Sequence, residues 1–185
     1  RDLRMSRGLG DVYKRQNLFI VSGAPNTGKS TTVYHLCTYL LNLGYVKTDI
    51  PYNGKRYSTS TSFPPILAND FSCLLEKEGK KVLIHTATDD VFNIDALVNS
   101  INNHKPSIVI TTCRDFGDWP RDYFCSQLKL VNSFILASTS DIDIEEFPLS
   151  RITRRTTRFA TAYEWYFINS THQIEKILSL PPYSI

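Results

Sequence analysis

The sequence has few cysteines, a single methionine and no apolar run near the roughly 18 residues that a membrane-spanning helix needs. Cys37, Cys73, Cys113 and Cys125 lie far apart, with no CxxC pair and no His or Cys neighbour at zinc-site spacing. A disulfide scaffold and a structural zinc site are therefore excluded, and the thiols are expected to be reduced and mostly buried. No internal repeat or low-complexity linker divides the chain. The basic N-terminus is not followed by a long apolar stretch with a small-residue cleavage site, so the expectation is a soluble, cytoplasmic protein with no membrane partner. Neither sign of charge dominates: 21 Lys and Arg face 18 Asp and Glu, and a net charge of +3 does not by itself imply a nucleic-acid partner. What remains is an ordinary globular composition, 42% hydrophobic and 21% charged over 185 residues, enough for one domain with a core.

Residues 1–16, RDLRMSRGLGDVYKRQ, show neither helical nor strand periodicity. They resemble a string found at the ends of unrelated metagenome-derived translations, so they are read as a non-native or disordered tail, leaving 17–185 as the single domain. Beyond the tail, apolar strands alternate with helices. Asn17 to Ser22 is a short apolar run suited to a central parallel strand, and the helix beginning at Ser30 places Val33, Leu36, Cys37, Leu40 and Leu41 on one face, with Gly44 as its stop. Residues 45–65 lack a sustained period and read as a long connection. Ala68 to Leu75 and Lys81 to Thr86 flank EKEGKK and predict a β-hairpin. A helix over Val91 to Asn103, strands at Ser107 to Thr112 and Ser133 to Thr139, and a helix over Ala160 to Leu180 ended by Pro181 and Pro182 complete the pattern. Such alternation predicts an α/β fold with a mainly parallel sheet.

Gly23-Ala24-Pro25-Asn26-Thr27-Gly28-Lys29-Ser30 fits GxxxxGK[ST] at every fixed position, with a strand before it and a helix starting within it. Small residues there let backbone N–H groups surround a phosphate, and the helix N-terminus adds its positive dipole end. Lys29 would contact the outer phosphates, Ser30 would ligate magnesium, and Thr31 would reach the α-phosphate. On these residues the chain resembles the P-loop NTPase superfamily from residue 17 to about 140. The resemblance implies a three-layer α/β fold of that type, a nucleoside triphosphate ligand and Mg2+.

A loop of this kind is normally joined by an acid at the end of another strand. Asp89 and Asp90, after VLIHTAT, are the candidates, although the usual four apolar residues run straight into the acid, and Asp90 also suits the cap of the next helix. Asp49 is a competing acid. Arg114, directly after the strand IVITT, stands where ligands sit in open α/β sheets and pairs well with phosphate oxygens. Arg151, Arg154, Arg155 and Arg158 share one helical face, suiting a phosphate-covering lid, a nucleic-acid contact or a solvated basic surface. The order of features also looks like that of a group of little-characterised bacterial ATP-binding P-loop proteins, in which Asp89 and Arg114 fall on matching positions. No NKxD or DxxG follows the loop, which disfavours GTP, and no LSGGQ-like signature is present, so ATP is the expected nucleotide. Two functions follow: an ATP-dependent enzyme, hydrolase or small-molecule kinase, with Lys29, Asp89 and Arg114 as catalytic residues and Ser30 and Asp89 on the metal; or a nucleotide-sensing module whose basic C-terminal face docks a protein or nucleic acid. The position of the acid-bearing strand relative to the P-loop strand distinguishes kinases, where they are adjacent, from many ATPases, where one strand intervenes.

Overall fold

The computed structural model describes residues 16–51, 70–128, 142–149 and 160–185. At its centre, Leu18 to Val21 are shielded from solvent on both sides because β1 (Gln16–Ser22) is an interior strand with helices over each face. Strand alternation sends Phe19 and Val21 to one face, where they meet Val33, Leu36 and Leu40 of α1 (Lys29–Asn42) and Ile174 and Leu178 of α4 (Ala160–Leu178). Leu18 and Ile20 point the other way, onto Ile94 and Leu97 of α2 (Val91–His104) and Phe124 of α3 (Arg121–Gln127). The result is a three-layer α/β arrangement with a core on each side of the sheet.

The remaining strands are β2 (Val46–Asp49), β3 (Ser72–Lys77), β4 (Lys80–His85), β5 (Ile108–Cys113) and β6 (Ile142–Pro148), and the six-stranded sheet has the order β2-β3-β4-β5-β1-β6. β4, β5, β1 and β6 run parallel, and β3 is antiparallel to both β2 and β4. The expected hairpin is β3–β4, turning through Glu78 and Gly79 at φ 51° and 76°. Positive φ at both turn residues matches the right-handed twist of the strands, and glycine at the second makes it easy.

Four features depart from the sequence expectations. The connection read over 45–65 opens with strand β2, an edge strand of four residues whose faces alternate too briefly to register as a period. β6 carries IDIEEFP, an acid-rich edge strand half covered by its neighbours, so its polarity hid it. α3, seven residues long, is too short to show helical periodicity. Gln16, assigned to the tail, pairs with Ile142 at the start of β1. The expected strand at Ser133 to Thr139 and the arginines 151, 154, 155 and 158 lie outside the described residues. All four cysteines are free and buried.

Where β4 ends, buried polar groups link the strands. The His85 ring lies between Ser72 Oγ at 3.1 Å and the Ala87 carbonyl at 2.8 Å, Thr111 Oγ1 donates to the His85 carbonyl at 2.7 Å, and Thr112 Oγ1 donates to the Thr86 carbonyl at 2.7 Å. Burial lowers the His85 pKa from 6.5 to about 4. The unfolded chain then binds more protons than the folded one between those values, so stability falls as pH drops from 6.5 toward 4, by roughly 3 kcal/mol for this group. Urea unfolding at a series of pH values should show that loss, and His85→Gln should flatten it.

Candidate functional site

Between β1 and α1 the chain must reverse direction within Gly23 to Gly28, and it does so with positive φ at Gly23 (151°), Asn26 (61°) and Gly28 (89°). Left-handed residues interleaved with right-handed ones make the concave backbone that binds anions. Gly28 caps α1, so the helix N-terminus opens at Lys29. Thr27 Oγ1 closes the loop by donating to the Ala24 carbonyl at 2.9 Å. Pro25 and Asn26 are exposed at its tip, and Ser30 and Thr31 lie half-buried in the first turn of α1.

Gly23 is fixed sterically as well as conformationally. A Cβ there would stand 2.8 Å from Thr27 Oγ1 and 3.2 Å from the carbonyl oxygen of Leu149, which follows β6 and donates its N–H to the Ser22 carbonyl at 2.8 Å. Gly23→Ala is therefore expected to cost about 1–3 kcal/mol in strain, read by chemical denaturation, and to distort the loop that it opens.

The buried Lys29 ammonium donates to the carbonyls of Gly23 and Ala24, both at 3.0 Å. Burial and the Arg114 guanidinium lower its pKa, while Asp89, Asp70 and Cys113 oppose them. These neighbours show that the ends of β1, β4 and β5 and the start of β3 converge on one site. Ser30 Oγ donates to Asp70 Oδ1 at 2.6 Å. Asp70 precedes β3, and continuing the pairing Ser72↔His85 by two residues sets it opposite Ala87, at the same end of the sheet as Asp89. Burial, the largest influence, raises the Asp70 pKa against the hydrogen bond from Ser30.

Sequence reasoning missed Asp70. The signal was present in the hairpin register, because the first residues of an antiparallel arm lie beside the last residues of its partner. Of the expected site residues, Lys29, Ser30, Asp89 and Arg114 are brought together around the loop. Asp89 is 53% exposed and accepts from Arg114 Nε at 2.7 Å. Asp90 caps α2, its Oδ1 accepting from the Asn93 N–H at 2.8 Å. Asp49 ends β2 on the sheet edge and pairs with Lys47 at 3.0 Å, away from β1.

Arg114 is held from behind. The buried Arg121 guanidinium donates to the Arg114 carbonyl at 2.8 Å and makes two bonds of 2.8 Å to the Glu146 carboxylate on β6. That bidentate pair fixes the chain between β5 and α3 against the strand on the other side of β1. Among the described residues, no group of three or more His, Cys, Asp or Glu side chains is placed to hold a metal ion. The oxygen pair of Ser30 and Asp70 nonetheless fits magnesium, which keeps several waters and takes only one or two protein carboxylates. No described helix is long and apolar enough to cross a membrane.

Comparison of the chain with protein-family profiles, curated proteins and solved structures gives no match in any of the three.

Proposed function

We propose that the chain is a P-loop protein that binds MgATP through Gly23 to Thr31 and hydrolyses it. The observation that carries this reading is the pairing of Ser30 Oγ with Asp70 at 2.6 Å at the mouth of a glycine-bearing loop that also holds Lys29. Magnesium, when bound, would neutralise charge on the outer phosphates. Ser30 and Asp70 are the side chains to hold it. Lys29, now bonded to the loop carbonyls, supplies a cation to the phosphate oxygens, and its burial strengthens that attraction. Arg114 stands ready to pair with developing charge on the transferring group, with Asp89 as its counter-ion.

Sheet order favours hydrolysis over phosphoryl transfer to a small molecule. β5 separates β4, the strand that leads to Asp89, from β1, so the strand expected from the sequence to bear the acid is one strand removed from the loop strand, as in many ATPases, and Asp70 enters from the start of β3 beyond it. The test is phosphate release from ATP by the purified chain. Release of inorganic phosphate without any acceptor supports the reading, and transfer only to an added metabolite would replace it with a kinase. Binding of ATP without either would leave the nucleotide-sensing module.

A further inference from the structure

Beyond the loop, the same end of the sheet carries three large side chains left open to solvent: Phe92 (73% exposed), Phe116 (55%) and Trp119 (69%). They belong to one rim. The Asp89–Arg114 ion pair joins the turn before α2 to the segment after β5, and Tyr123 Oη donates to Asp95 Oδ1 at 2.7 Å, tying the first turn of α3 to the second turn of α2. Phe92 lies in the first turn of α2, and Phe116 and Trp119 lie between Arg114 and α3. Exposed aromatic groups collected in one region mark an interaction surface, and Trp is among the residues that most often anchor one.

Charge selects the partner. Asp115, Asp118 and Asp122 are exposed among the rings, whereas the two arginines of the region are engaged, Arg114 with Asp89 and Arg121 with Glu146. An acidic rim repels nucleic-acid phosphates and attracts cations, and aromatic faces bind guanidinium groups through their quadrupoles. We propose that this rim docks an arginine-rich, extended segment of a partner protein, with guanidinium groups stacked on Trp119 and Phe116 and paired with Asp118 and Asp122. The surface adjoins the Asp89–Arg114 pair, so its occupant would sit at the edge of the nucleotide site, but docking itself requires no nucleotide.

The test is fluorescence anisotropy of a labelled peptide of alternating arginine and glycine, titrated with the full chain without nucleotide. Saturable binding that weakens with added salt is expected, and Trp119→Ala, or Asp118→Lys combined with Asp122→Lys, should each weaken it about tenfold or more. These side chains are exposed, so the variants should keep the wild-type unfolding midpoint. Absence of binding, equal binding by wild type and variants, or preference for a glutamate-rich peptide or a single-stranded oligonucleotide would overturn the proposal. Self-association of the chain that is lost in Trp119→Ala would also overturn it, by assigning the rim to a second copy.

Discussion

Asp70→Asn is expected to lower magnesium-dependent ATP turnover by about 100-fold, and Asp89→Asn by less than about tenfold. The difference rests on what each carboxylate touches: Asp70 the Ser30 hydroxyl at 2.6 Å, Asp89 the guanidinium of Arg114. A structural readout separates loss of function from loss of folding. Burial raises the Asp70 pKa, so its ionised form is disfavoured in the metal-free protein. For a carboxyl raised in this way, the stabilising contribution belongs to the protonated form and is lost as pH rises through the folded pKa. An uncharged amide of the same shape should therefore leave the metal-free unfolding midpoint at neutral pH equal to or above that of wild type. The rise in midpoint that magnesium plus ATP gives the wild type should disappear. Should Asp89→Asn abolish the magnesium response while Asp70→Asn retains it, the metal would belong to the end of β4.

Lys29→Ala carries the second large effect: a loss of roughly 100-fold or more in turnover, in line with removal of a preorganised charge aimed at the transition state. Its ammonium is held at 3.0 Å by two loop carbonyls, so the group is positioned before any ligand arrives. Removing it leaves those carbonyls without their buried donor, and a modest loss of stability of about 1–3 kcal/mol is expected alongside. Lys29→Arg would keep the charge but not the compact reach, and it should recover little. Turnover unchanged in a folded Lys29→Ala protein would remove the loop from the reaction.

The loop and its flanking elements were legible in the sequence because their signals are local. A glycine pattern, an apolar strand and a helix face are all contained within Asn17 to Gly44. So was the hairpin, since EKEGKK separates two apolar arms. Asp70 was not, because its role depends on strand pairing: a residue preceding β3 reaches α1 only because β3 runs antiparallel beside β4. The ion pairs Asp89–Arg114 and Arg121–Glu146 span 25 residues each, and nothing in local sequence declares them. β2 and β6 escaped for a related reason. Each lies at a sheet edge, where one side of the strand lacks a neighbour and the demand for apolar residues is weak.

Direct binding is the most decisive measurement: calorimetric titration of ATP into the full chain, with magnesium and with chelator. Saturable one-to-one binding is expected, strengthened by magnesium and lost in Lys29→Ala. A folded wild-type chain that shows no saturable heat with ATP, or binds wild type and Lys29→Ala alike, would contradict a phosphate site between Gly23 and Thr31.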